Sequence, residues 1–499
     1  MSAGLDILSL GVSRCPALAS VALLATFLIG CNGGGGGGGG GVASVPDTMP
    51  PTVSVTYPAD AVTGVFVDGA INAVFSEPMN AATINTSNFT LKDATNAPVL
   101  ASVSYSGNTA TIKPTNPLGR SALYTATITT GVKDLAGNAM TVDHSWSFTA
   151  EKDAWQAMVM SGGPAGRAKP TAVWTGTRVI VWGGQVNGGV TNTGGLYDPV
   201  ADTWSATAIN NAPLPRLTHT AIWTGNKMIV WGGWDGSNYF NDGAVYDLAM
   251  NNWGTIATPS GFVGRGNHTT VWTGTEMIVW GGNTSLGFSN TGAAYNPSPT
   301  ANSWRLLSSS ALLERTGHTA VWTDTEMIVW GGYNGLGFTN TGAAYNPTTD
   351  KWRVIVAPPA GFLGRAYHTA VWIGGEMIVW GGNTSVGVVN TGAAYNPATN
   401  SWRLISTSGA PTPRLDHTAI WTGPTGIAMV VWGGEDGMGT LFNDGGRYDP
   451  VTDSWRTTDL TSNVPTGRFD HSVAWTGSEM IVWGGNDRTL TNTGARYAP

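Results

Sequence analysis

Cysteine is almost missing from this chain of 499 residues: there are two, Cys15 and Cys31, both close to the N-terminus. Everything after residue 31 is therefore without a disulfide framework, thiolate metal ligands or a cysteine nucleophile. Charge is scarce as well. Lys, Arg, Asp and Glu together make up 11 % of the residues, and the net charge is −7. A nucleic-acid binder needs a basic face, so nucleic acid is excluded as a partner. No apolar run reaches the roughly 18 residues of a membrane-spanning helix. What is abundant is Gly, with 70 residues, and Trp, with 23. Many glycines, many aromatics and few charges suit an all-β protein with tight turns.

The longest apolar run, Ala17 to Ile29, follows Arg14 and ends in Leu28-Ile29-Gly30-Cys31. Its length is that of a signal-peptide core. The ending resembles a bacterial lipobox, whose cysteine is acylated and becomes the first residue of the mature protein. Residues 1–30 are thus expected to be a lipoprotein signal peptide and Cys31 the lipidation site. Asn32 and nine glycines, Gly33 to Gly41, come next. Glycine loses the most entropy on ordering, so residues 31–47 read as a tether spanning on the order of 20–25 Å as a coil. The expected location is the bacterial cell envelope, with the lipid bilayer as partner through Cys31.

Residues 48–151 alternate polar and apolar positions in short runs, such as Ala70-Ile-Asn-Ala-Val-Phe75 and Tyr124-Thr-Ala-Thr-Ile-Thr129. This period of two, broken by Gly, Pro and Asn, predicts a β-sandwich. Phe75-Ser-Glu-Pro-Met79 and Val132-Lys-Asp-Leu-Ala-Gly-Asn138 resemble the bacterial Ig-like domain of surface-layer proteins, which implies a spacer. Glu77, Asp134 and Asn138 are open to two roles, turn formation or cation binding.

From Gly166 to Pro499 a unit of about fifty residues recurs seven times around Met-Ile-Val-Trp-Gly-Gly or a close variant. Its Trp falls at Trp182, Trp231, Trp280, Trp330, Trp380, Trp432 and Trp483. Six units carry another Trp about twenty residues later; the seventh lacks it, and its counterpart, Trp155, precedes the first unit. An open array has no use for this permutation. A ring has, because an N-terminal strand can complete the last unit. Each unit holds four short apolar runs divided by Gly, Asn or Pro, hence four strands. Diglycine closing the second strand, Tyr closing the third, Trp opening the fourth and Arg-x-x-His before the first resemble the kelch repeats of the galactose-oxidase central-domain type. The resemblance implies a seven-bladed kelch β-propeller over residues 152–499, closed by a strand at 154–160 and preceded by the Ig-like β-sandwich.

Kelch propellers place the loops before the first strand at the mouth of a central channel. Arg167, Arg216, Arg265, Arg315, Arg365, Arg414 and Arg468 occur once per blade there. Two roles stand open: a cationic collar for an acidic ligand, or braces that bond backbone carbonyls. Six blades add a His, including His417 and His471; six rings around a wide channel do not converge on one metal, and no metal or cofactor is expected. A site is sought where the sevenfold pattern breaks. The breaks are Trp234 and Asp235, Tyr333 and Asn334, Glu435 and Asp436, Asn486 and Asp487, and Asp416 and Asp470 directly before His417 and His471. No catalytic order of Ser, His and Asp is discernible, and copper-radical chemistry of the galactose-oxidase kind is excluded by the missing cysteine. The expectation is a monomeric, lipid-anchored surface protein that binds a glycan or protein through its loop face. A mutarotase-like enzyme using Asp416-His417 or Glu435-Asp436, or a structural surface protein without a discrete ligand, are the alternatives.

Overall fold

The computed structural model describes residues 47–423 and 428–499. The signal peptide, Cys31 and the glycine tether up to Pro46 lie outside the described residues. Among those described, all regular structure is β apart from one 3-10 turn at Ala81–Thr83.

The alternating segment folds as two four-stranded sheets. One orders Val53–Tyr57, Ile71–Phe75, Thr109–Pro114 and Ala101–Ser106; the other Val62–Val65, His144–Ala150, Leu123–Ile128 and Phe89–Asp93. Ile71, Ala73 and Phe75 point inward and alternate with half-buried Asn72 and Val74, as a sheet with one packed face requires. Phe89, Trp146 and Phe148 meet them from the second sheet. Asn138 donates from its backbone and side chain to Asp134, 2.8 Å each, which is turn chemistry. Carboxylate oxygens of Asp47, Glu77 and Asp134 also lie within 4.8 Å of one another. Burial and the two neighbouring carboxylates hold the Glu77 carboxyl above its ordinary range.

The repeats form seven four-stranded antiparallel sheets. In blade three the strands run Thr269–Trp272, Met277–Trp280, Gly292–Asn296 and Ser303–Leu306 from inside out. The first strands of successive blades adjoin one another, and Ser472–Trp475 of blade seven adjoins Thr171–Trp174 of blade one, so the array is a closed propeller. Second strands are buried at every position but the first residue of blade two's, Lys227, as in Met277–Trp280, because a neighbouring blade covers each face. Trp231 of blade two shows how blades interlock. Its ring lies 5.3 Å from Trp304 and 5.2 Å from His268, both of blade three. Gly232 follows it at φ 68°, and a Cβ there would stand 2.6 Å from the His268 ring. Only glycine fits both demands.

Blade seven is completed by Ala154–Ala157, which pairs antiparallel with Gly494–Ala498 and sets Trp155 opposite Tyr497. This strand is shorter than the expected 154–160, because the chain turns at Met160, where Gly163 N–H donates to the Met160 carbonyl (3.1 Å) and Gly162 adopts φ 80°.

The sandwich docks on blades six and seven. Arg447 of blade six is 3 % exposed and pairs with Glu151 and, at 3.1 Å, with Asp153, both buried in the interdomain segment. Tyr497 donates to Asp153 (2.6 Å) and Tyr57 to Asp449 (2.9 Å), while Arg456 pairs with Asp68 at 2.7 Å. Thr422 and Gly477, in the turns between first and second strands, border this junction. The sandwich therefore sits on the face opposite the loops that precede the first strands.

Candidate functional site

The channel mouth is built from one strained residue per blade. Lys169, Thr218, Asn267, Gly317, Tyr367, Asp416 and Asp470, each two residues before a first strand, have φ between 50° and 62°. Six of them are not glycine, and a left-handed backbone costs such residues on the order of 1–3 kcal/mol. Their neighbours enforce it. The N–H of Lys169 donates to the Asp470 carbonyl (2.8 Å), Asn267 to Thr218 (3.0 Å), Tyr367 to Gly317 (3.0 Å) and Asp416 to Tyr367 (3.3 Å). The seven residues thus follow one another around the channel opening.

A second circle lies outside the first. The residue after each diglycine, Trp234, Tyr333, Glu435 or Asn486 among them, bridges to the residue that precedes the left-handed one. Leu217 and Trp234 exchange two backbone bonds of 3.0 and 2.9 Å, and Leu415 and Glu435 do the same at 2.9 and 3.0 Å. The backbone is alike in every blade, while the side chains it presents differ.

The charged and aromatic side chains gather on one arc. Tyr367, Asp416, Asp470 and Lys169 come from blades five, six, seven and one in succession. Lys169 Nζ stands 3.6 Å from Asp470 Oδ2. Burial pushes the Asp416 carboxyl up to about 7; the Asp470 charge adds to this, Lys169 opposes it, and Glu435 adds further. Asp470 is raised by burial against the pull of Lys169, and Glu435 by burial and then by Asp470 and Asp436. Tyr367 is 44 % exposed, and burial of its hydroxyl, then the Asp416 charge, raises it too. The arc therefore combines an exposed aromatic ring, a carboxyl that exchanges its proton near neutrality, a second carboxyl and an ammonium group.

The other expected residues divide. The arginines brace the blades. Each is at most 1 % exposed. Arg265 donates to the carbonyls of Gly281 (3.0 Å) and Thr291 (2.9 Å) and to Thr291 Oγ1 (3.0 Å), and Arg167, Arg315, Arg365 and Arg468 repeat the pattern. Arg216 and Arg414 add ion pairs with Asp242 (2.9 Å) and Asp444 (2.8 Å). Burial brings Arg265 down to about 9. No guanidinium of the seven is open to solvent, so they form no cationic collar; carbonyls left over by the tight turns claim them first. The histidines lie beneath the mouth. His417 Nε2 is 2.9 Å from Thr369 Oγ1 and His471 Nε2 is 2.8 Å from Thr418 Oγ1, each reaching the preceding blade. Burial lowers both, His471 to about 3, so they stay neutral near pH 7 and form no acid–base pair with Asp416 or Asp470.

Asp235, Asn334, Asp436 and Asp487 spend an oxygen on their own turns. Asp235 accepts from the N–H groups of Ser237 (2.8 Å) and Asn238 (2.7 Å), and Asp436 from Met438 (2.8 Å) and Thr440 (3.0 Å). Asn334 and Asp487 act likewise on Gly337 and Thr489, and Asn486 accepts from Arg488 N–H (2.9 Å). Trp234 stacks on Tyr239 at 6.3 Å, and Tyr333 meets Phe338 at 5.5 Å; both remain half-buried on the loop face. Sequence reasoning missed Lys169 and Tyr367. The signal was present in the column of residues that precedes the recurring His or, in blade one, Pro170: it is Asp in blades six and seven and different in each of the others.

Residues 47–150 match the family model of the bacterial Ig-like domain. Residues 267–485 match the KLHDC2/KLHL20/DRC7 Kelch-repeats domain, and residues 134–341 the Attractin/LZTR1 beta-propeller. No curated protein matches the chain significantly. Kelch propellers of this kind suggest a binding or scaffold role.

Proposed function

The chain is a bacterial Ig-like domain followed by a Kelch-repeat β-propeller, and from that premise we propose that it is a binding protein of the cell envelope. In this reading it is lipid-anchored through Cys31 and captures a surface glycan or protein at the channel mouth. The observation that carries the reading is the arc Tyr367–Asp416–Asp470–Lys169, with Glu435 behind it. Its residues differ from those of the other blades on a backbone that all blades share. The sandwich leaves this face uncovered. An exposed tyrosine ring offers a stacking surface, and two carboxyls beside an ammonium group offer donors and acceptors to hydroxyls or peptide groups. Glycan-array screening and pull-downs from envelope extracts test it. At least one partner is expected, with binding weakened about tenfold or more in Tyr367→Ala and Asp416→Ala; a partner retained by both variants contradicts the site.

A second reading, a carbohydrate enzyme that accelerates anomer exchange, is favoured by one observation. The Asp416 carboxyl is held at about 7, where a group can both give and take a proton at neutral pH. NMR exchange measurements on a panel of reducing sugars decide it. Rates above buffer that fall in Asp416→Asn support the enzyme, and rates equal to buffer remove it.

A further inference from the structure

On the face away from the mouth, an arginine stands in the groove between one blade and the next. Arg305 of blade three bonds Glu276 of its own blade (2.7 Å) and the Tyr345 hydroxyl of blade four (2.9 Å). Arg353 repeats this with Glu326 (2.6 Å) and Tyr395 (3.1 Å), and Arg403 with Glu376 (2.6 Å) and Tyr448 (3.2 Å). At the remaining seams Arg447 acts on Tyr497, Arg496 on Tyr197 and Arg178 on Tyr246.

The groove between blades two and three departs from this pattern. Gly254 occupies the register position of Arg305, and Lys227 that of Glu276. Lys227 Nζ turns instead to Asp247 at 3.2 Å. Tyr295, the counterpart of Tyr345, donates to Asn302 (2.7 Å), and no arginine among the described residues reaches its oxygen. The consequence is a cleft of about 610 Å³, against about 410 and 440 Å³ in the grooves between blades three and four and between seven and one. The two smaller grooves are walled mainly by turn residues. The larger one reaches down to Ile229, Val245, Trp272 and Tyr295. The backbone does not impose the gap. Gly254 lies outside the left-handed region, and an added Cβ would meet only Val245, at 3.2 Å from its nearest atom.

We propose that this cleft is a binding site for a neutral oligosaccharide, separate from the channel mouth. The half-buried Val245 and Trp272, with Ile229 and Tyr295 buried beneath them, give the cleft an apolar and aromatic floor that accepts the C–H face of a sugar ring. Its rim carries Asn226, Thr255, Thr275 and Asn296, which donate to and accept from hydroxyls. Lys227 is the one charged residue of the lining, and its ammonium group is held by Asp247 outside the cleft, so no carboxylate or unpaired charge faces the ligand. With Lys227 where blades three, four, five and seven hold a glutamate, a partner's guanidinium group finds an ammonium instead of a carboxylate, so the arginine-bearing protein ligand is disfavoured.

Saturation-transfer NMR on the full chain with cellotriose, maltotriose and chitotriose tests the proposal. At least one is expected to bind. Refilling the groove with Gly254→Arg and Lys227→Glu is expected to weaken that binding at least tenfold, as is the rim pair Asn226→Ala and Thr255→Val, whose folding is checked by thermal melting. Asp416→Asn, at the mouth on the opposite face, is expected to leave it unchanged. Failure of all three sugars, binding undiminished in both groove variants, loss of binding in Asp416→Asn, or binding of arginine amide in place of the sugars overturns the proposal. Loss of binding in Asp416→Asn would assign the sugar to the mouth and leave the function proposed above standing.

Discussion

Asp416 ties the chemistry of the mouth to the stability of the fold. Its carboxyl is raised from 3.8 to about 7, first by burial. Between those values the folded state binds more protons than the unfolded one, so this group's contribution to stability falls as pH rises from about 4 to about 7 and is level above. At about 1.4 kcal/mol per unit, the effect is a few kcal/mol at most. Asp416→Asn, which imitates the protonated acid, is therefore expected to melt above the parent at pH 8 and with it at pH 4. An advantage that is equal at both pH values contradicts the assignment. The buried histidines work in the opposite direction. His219, lowered to about 3, stabilises fully above about 6.5 and loses that contribution on acidification, which is why the comparison is made against the variant at each pH. At this scale the sequence was half legible. Asp416, Asp470 and Glu435 stood out because they break a repeat. Lys169 and Tyr367 lie in the same column, but only the fold shows that it lines the mouth and that these two sit beside Asp470 and Asp416, some 50 to 300 positions away along the chain. The arginines stayed open between collar and brace for the same reason. Their periodicity is visible, but the carbonyls that consume their donors are revealed only by the fold.

The strands were legible almost throughout, because each blade poses the same packing problem and answers it with the same residues. The displaced tryptophan of the seventh unit is the clearest case. Trp155 is 2 % exposed, with ring centroids 4.9 Å from Tyr497 and 5.3 Å from Trp432. Trp155→Ala is expected to cost about 3–5 kcal/mol in chemical denaturation. Because this strand supplies the fourth strand of blade seven, faster amide exchange should spread over Gly494–Ala498 in the same variant. A loss under 1 kcal/mol, or exchange unchanged in that strand, speaks against a ring locked at this seam. The strand's end at Ala157 was not legible, since Met158 and Val159 carry on the apolar run until the Gly162-Gly163 turn stops it.

In the whole molecule the sandwich is bolted to the propeller and does not act as a loose spacer, and the bolt is ionic. Glu151 is 1 % exposed, and Arg447 faces it from blade six. Arg447→Met would leave buried Glu151 with only the half-exposed Arg120 at 3.7 Å, while Asp153 keeps Arg120 at 3.0 Å, a loss of at most about 3–5 kcal/mol. Calorimetry is expected to show one transition for sandwich and propeller in the parent and two in the variant; a single transition in both would mean that the pairing contributes little. Nothing in the sequence marked this contact, because its partners lie 296 positions apart. The function proposed above requires one charged and aromatic ligand-binding arc on a mouth whose other positions are the uncharged Thr218, Asn267 and Gly317. Isothermal titration of the strongest array ligand against Tyr367→Ala, Asp470→Ala and Lys169→Ala, beside Thr218→Ala and Asn267→Ala of blades two and three outside the arc, is the decisive test. The account predicts at least tenfold weaker binding for the first three and less than twofold change for the other two; equal effects on both groups, or none on either, would contradict it.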